Sequence, residues 1–190
     1  TFSQEFILSS QSSDKLQWLM GLYYIHDEPS LKTGISIPLF SFFEQLEASN
    51  ETDAYAVFGH ATYNLAEKIR LNLGLRYSYE EKQFTLTQFV NSSLVNGPLA
   101  QSDDWDAWTP KLGLDYFYND DIMLYFSASR GFKSGAFNSS NTFEPAVNPE
   151  FIDAYEIGAK SMLFEDRMRL NISAFNYHYT DLQVQGIEQN

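Results

Sequence analysis

The chain is 190 residues long, 44% hydrophobic and 16% aromatic, which is material for one folded domain and excludes a disordered chain. A formal net charge of -13 and a pI near 4.4 disfavour nucleic-acid binding, and the absence of cysteine excludes a disulfide scaffold, a thiolate metal site and a cysteine nucleophile. No apolar run reaches the length of a membrane helix, yet the mean hydropathy of -0.32 suits a β-barrel, in which only every second strand residue meets lipid.

The first residues, Thr1-Phe2-Ser3-Gln4-Glu5, carry neither the basic region nor the apolar core of a signal peptide, so the chain is expected to begin behind a removed leader or inside a longer protein. Period-two alternation then predicts about eight strands, near 2–10, 15–27, 52–64, 69–81, 106–118, 121–132, 150–163 and 167–182. Four intervals are tight and polar: Gln11-Ser12-Ser13-Asp14, Leu65-Ala66-Glu67-Lys68, Asn119-Asp120-Asp121 and Phe164-Glu165-Asp166. Three are long: Asp27 to Asn50, Lys82 to Asp104 and Lys133 to Pro149. Stretches such as Asn91-Ser92-Ser93 and Asn96-Gly97-Pro98 make irregular loops the expectation there. A soluble sandwich scatters its loop lengths over both ends of the sheet. Strict short-long order instead predicts an all-β fold: an antiparallel transmembrane β-barrel segment of four hairpins, with short periplasmic turns and long extracellular loops. The final residues, Gly186-Ile187-Glu188-Gln189-Asn190, follow a strand with no closing turn, so residues 1–190 are expected to form an arc of a larger barrel.

Side-chain parity divides the strands into two faces. Leu16, Trp18, Met20, Leu22 and Tyr24 share one face of their strand, as do Leu71, Leu73, Leu75, Tyr77 and Tyr79 opposite Arg70, Asn72, Gly74, Arg76, Ser78 and Glu80. The split recurs with Leu112 and Leu114 against Lys111 and Asp115, Tyr155 and Ile157 against Glu156 and Lys160, and Leu170 and Ile172 against Arg169 and Asn171. Tyrosine and tryptophan gather near strand ends, where a ring with a polar tip suits the headgroup level. Arg70, Arg76, Lys111, Asp115, Glu156, Lys160 and Arg169 are accordingly expected to face a wet lumen. Arg130 falls on the apolar face, which predicts snorkelling or a bulge.

Several segments, in order, resemble the barrel domain of TonB-dependent outer-membrane receptors of the iron-complex type. They are Tyr55-Ala56-Val57-Phe58-Gly59-His60-Ala61-Thr62-Tyr63-Asn64, Leu71-Asn72-Leu73-Gly74-Leu75-Arg76-Tyr77 and Tyr125-Phe126-Ser127-Ala128-Ser129-Arg130-Gly131-Phe132-Lys133-Ser134-Gly135. Asn148-Pro149-Glu150, Tyr155-Glu156-Ile157-Gly158-Ala159-Lys160 and Asn176-Tyr177 through Thr180-Asp181-Leu182-Gln183 follow. The resemblance implies a closed barrel of about 22 strands, of which this is an internal part without the plug. It also implies residence in the outer membrane of a Gram-negative bacterium, in contact with lipid and lipopolysaccharide. Its implied activity is uptake of a scarce ligand such as a ferric siderophore, driven by the TonB complex through the plug. On this resemblance, the aromatic switch to Phe175, Tyr177 and Tyr179 in the last strand reads as a bulge or a plug-facing aromatic cluster. A passive barrel channel or structural barrel is one alternative, and a soluble β-sandwich binding module is another.

Neither a catalytic constellation nor a cofactor or metal site is assigned. His26, His60 and His178 fall on different predicted strands, and Asp103-Asp104-Trp105-Asp106 lacks the spacing and turn glycine of a calcium loop. Gly131-Phe132-Lys133-Ser134-Gly135 lacks the spacing of a phosphate loop, and its glycines read as a bend. Four Asn-X-Ser/Thr patterns, among them Asn138-Ser139-Ser140, carry no meaning in a bacterial envelope. The candidate ligand contacts are aromatic residues of the expected loops: Phe40, Phe42, Phe43, Trp105, Phe132 and Phe137.

Overall fold

The computed structural model describes residues 1–11, 15–138 and 145–184. Outside them lie most of the expected first turn (12–14), the Ser139-Ser140 part of one Asn-X-Ser pattern, part of the third long interval and the final residues 185–190. The strands are β1 (Phe2–Ser9), β2 (Leu16–Asp27), β3 (Ser30–Ile37), β4 (Phe42–Ala66), β5 (Ile69–Val90), β6 (Ser93–Phe117), β7 (Ile122–Lys133), β8 (Glu150–Leu163) and β9 (Met168–Thr180). They form one antiparallel sheet in the order β1-β2-β4-β5-β6-β7-β8-β9, with β3 beside β4.

The strand beyond the expected eight is β3, which continues β2. β2 pairs with Thr52 to Tyr63 of β4, and β3 pairs with Phe42 to Ser49 of the same strand. Between them stands Pro29, which has no N–H to give a ladder and contributes its carbonyl to the Asn50 N–H at 3.0 Å. The described residues therefore form eight columns, the number that alternation predicts.

Two long intervals are not irregular loops. β4 runs 25 residues and β6 another 25. Each is about 80 Å long, against the 9–11 residues a strand needs to cross a bilayer. The Asp27 to Asn50 interval is β3, a one-turn helix at Pro38–Phe40 and the outer third of β4; the Lys82 to Asp104 interval is the outer part of the β5–β6 hairpin. That hairpin closes on Asn91 and Ser92, at φ of 48° and 65°, the left-handed pair of a two-residue turn. The Asn91 side chain accepts from the Phe43 N–H at 2.9 Å, tying the turn to β4. These segments escape the alternation pattern because both of their faces are polar or mixed, as in Gln45-Leu46-Glu47-Ala48-Ser49-Asn50. The outer parts of β4 and β5 are held by a partner strand on either side, and those of β3 and β6 by one.

At the opposite end the turns are short. Asn119 accepts from the N–H groups of Asp121 and Ile122 at 3.1 and 2.8 Å, and Phe164, Glu165 and Asp166 all take positive φ before Arg167 N–H returns to the Phe164 carbonyl at 3.3 Å.

Cross-strand register makes the two faces explicit. One row reads Trp18, Ala61, Leu73, Leu112, Ala128, Tyr155, and the row on the other face reads Thr62, Asn72, Gly113, Ser127, Glu156, Phe175. Ile157 and Ile172 on the first face are 62% and 63% exposed, which marks a surface with no protein layer over it. The β7–β8 and β8–β9 ladders run without register shift. The bulge alternative is thus corrected at both places where it arose. Arg130 sits on the apolar face opposite Asp153, and Phe175, Tyr177 and Tyr179 sit on the polar face.

Candidate functional site: the polar face of the sheet

The polar face carries hydrogen-bonded side-chain groups at three levels. Near the short turns, Arg70 lies 4.8 Å over the Phe117 ring and donates from Nε to Asn64 at 3.3 Å, and Arg169 contacts the Met162 sulfur at 3.4 Å. In the middle, the Thr62 hydroxyl donates to Asn72 Oδ1 and the Asn72 amide donates to Asp115, both at 3.0 Å. Arg76 donates from Nε to the Ser78 hydroxyl at 2.8 Å and lies 5.7 Å from both the Tyr23 and Phe58 rings. The Tyr125 hydroxyl donates to Glu156, with Lys160 5.3 Å over the Tyr125 ring. Lys111 stands in the ladder opposite Gly74 and Ser129.

The third level, toward the long hairpins, holds the largest of the buried side chains among the described residues. Phe84 is 4% exposed and Trp105 9%, with Ser134 beside them at 6%. The chain leaving β7 turns back over β5 and β6, so that Phe137 stacks on Phe84 at 5.8 Å and approaches Trp105 at 6.1 Å. Lys82 donates to the Ser134 hydroxyl at 2.6 Å and the Gly135 carbonyl at 2.9 Å, while Ser134 donates to Glu80 at 2.5 Å.

Of the six aromatic candidates, the structure brings Trp105 and Phe137 together. Phe132 lies on the apolar face, 5.5 Å from Phe151. Phe40 is 75% exposed at the tip of the β3–β4 connection, and Phe42 and Phe43 open β4. The Trp105 level on β4 is that of Ala54, twelve positions from Phe42, or about 40 Å along the strand. Phe40, Phe42 and Phe43 therefore form a separate group. Lys82 and Phe84 escape the sequence reading because the strand is expected to end at 81, and Ser134 because it lies past the end of β7 and meets Lys82 only through the fold. Continuing the alternation Arg76, Ser78, Glu80 by two more steps reaches Lys82 and Phe84.

Asp103-Asp104-Trp105-Asp106 is strand rather than loop start, and alternation sends Asp104 and Asp106 to the face opposite Trp105. Register also assembles a group that linear spacing hides. His26 Nδ1 lies 3.1 Å from Asp53 Oδ1, Glu51 brings a third ligand atom, and all three atoms fall within 4.8 Å of one another. This group could hold a divalent cation. It lies on the apolar face, where the Tyr24 hydroxyl also donates to Asp53 at 2.8 Å.

A sheet with one apolar and one polar face, short turns at one end and tall hairpins at the other is an arc of an outer-membrane β-barrel wall. Residues 2–190 match the family model described as TonB dependent receptor-like, beta-barrel, and the chain belongs to this family. Its place is accordingly the outer membrane of a Gram-negative bacterium. The metal-pseudopaline receptor CntO of Pseudomonas aeruginosa is 27% identical over 126 residues, 66% of this chain and 17% of that receptor. The fold is similar to that of the ferric yersiniabactin uptake receptor FyuA from Yersinia pestis, with a TM-score of 0.84 at 18% identity over 97% of this chain and 29% of that one. The siderophore receptor PiuA from Acinetobacter baumannii gives a TM-score of 0.55 at 12% identity, over 91% of this chain and 39% of that one. The chain thus spans between 17% and 39% of the length of these proteins.

Proposed function

We propose that the whole protein is an energy-coupled outer-membrane transporter for a scarce metal complex of the siderophore kind. In this reading the chain supplies eight columns of barrel wall, its polar face lines the lumen, and its tall hairpins stand outside the cell. The observation that carries the reading is the registered row of polar side chains Thr62, Asn72, Ser127 and Glu156, with Asp115 and Arg76 on the same face beside it, running across a sheet whose other face is apolar. Charged and amide groups on one face of a membrane wall are stable where water fills the interior. Similarity to a receptor named for a metal complex supports the class of cargo.

The part of the barrel outside this chain would hold the plug, through which the TonB complex would drive uptake. The apolar face would meet lipid and lipopolysaccharide, and the role is transport rather than catalysis. The test is uptake of radioactive iron, presented as ferric siderophores, by cells deleted for the full-length gene. Expected is loss of uptake for at least one complex, restored by the intact gene and abolished again without TonB. Restoration that does not need TonB would overturn the reading in favour of a passive channel.

A further inference from the structure

We propose that Lys82 is a positioning residue that holds the chain segment Ser134 to Phe137 down on the wall, so deciding whether Trp105 and Phe84 are covered or open to the lumen. The inference rests on the reading above only for this face being the barrel interior.

Three observations converge on Lys82. First, its ammonium makes its close contacts with the folded-back segment rather than with its own strand. It donates to Ser134 Oγ at 2.6 Å and Gly135 O at 2.9 Å, with the Glu80 carboxylate 3.6 Å away and the Trp105 ring centre at 5.6 Å. The Lys82 side chain is only 16% exposed, so lifting the segment would leave a half-buried ammonium with Glu80 as its remaining polar partner.

Second, the segment is shaped to this seat. A Cβ on Gly135 would run into both the Trp105 ring and the Val147 carbonyl, so only glycine allows the backbone this close. Ala136 bridges Val147, whose N–H donates to its carbonyl at 2.8 Å. Third, what the segment covers is apolar. Phe137 lies over Phe84 and beside Trp105, the two largest buried side chains among the described residues. Gln183 braces the far side, donating from its amide to Ser134 O at 3.0 Å and Asn148 O at 2.8 Å. The charged donor of Lys82 thus adds its two bonds to the aromatic contact and to the bonds from Gln183 and Val147 that seat the segment.

The test uses the full-length receptor in intact outer membranes, with Phe84→Cys as a reporter labelled by a membrane-impermeant maleimide and the parent receptor as background. The introduced thiol is expected to label slowly when Lys82 is present. In Phe84→Cys/Lys82→Met, which keeps the stem over Trp105 and loses the donors, labelling should rise at least tenfold. In Phe84→Cys/Lys82→Arg, which keeps donors, it should stay within about threefold of the reporter alone. Heat-modifiable gel mobility establishes that each variant is a folded barrel, and only folded material is scored. Equal rates with and without Lys82, or rapid labelling while Lys82 is in place, would overturn the inference. The readout needs no cargo and no TonB, so failure of the transport reading and failure of this one are told apart.

Discussion

Arg130 and Asp153 face one another across β7 and β8, with 3.8 Å between Nε and Oδ1, on the face that otherwise presents Leu124, Phe126 and Ile157. The Arg130 guanidinium also lies 4.6 Å over the Phe151 ring. The pair stands toward the tall hairpins, the next same-face pair beyond Ala128 and Tyr155, at a level where the charged tip can reach headgroups.

Depth should therefore decide what a charge costs on this face. Asp153→Asn, which removes the partner of a half-exposed arginine, is expected to change stability by less than about 1 kcal/mol. Leu73→Arg, in the middle of the apolar face, should cost about 2–4 kcal/mol. Urea unfolding of the full-length receptor in lipid measures both. Equal effects of the two substitutions would mean that this face is not lipid-facing.

Close packing of the wall makes a second test. A Cβ on Gly158 would sit 2.6 Å from the Tyr125 ring and 2.7 Å from the Ile172 carbonyl, whereas one on Gly59 meets only the Leu19 carbonyl at 3.6 Å. Gly158→Ala must displace Tyr125 from Glu156 or push β9 backbone aside, at about 1–3 kcal/mol. Gly59→Ala should stay within about 0.5 kcal/mol. The same unfolding experiment reads the contrast, and a tolerated Gly158→Ala would contradict the packing described.

Acid should loosen the outer hairpin through one carboxyl. Lys32 donates to Glu47 at 2.8 Å, and this hydrogen bond holds the Glu47 carboxyl below the usual carboxylate range, against partial desolvation that pulls it up. A carboxyl with a lowered folded value stabilises the hairpin above its ordinary titration range, and loses that contribution as pH falls through the lowered value. Lys32→Met should return Glu47 toward the ordinary range, an upward shift seen by carbon-13 NMR of glutamate-labelled receptor. An unchanged Glu47 titration would show that the bond is not formed in solution.

Period-two alternation was enough, by itself, to determine the eight columns, the tight turns at one end and the partition into two faces, because each depends only on which way successive side chains point. Leu71, Leu73 and Leu75 could be set against Arg70, Asn72 and Arg76 without a neighbour in view. Tertiary structure decided what depends on partners. Gln45 to Asn50 and Lys82 to Val90 are strand because flanking strands take up their backbone groups, although neither face is apolar enough to announce it. His26 meets Asp53 only through register. Ser134 and Gly135 reach Lys82 and Trp105 because the chain reverses after β7, a path set by burial of Phe137 against Phe84 and one that no local periodicity encodes.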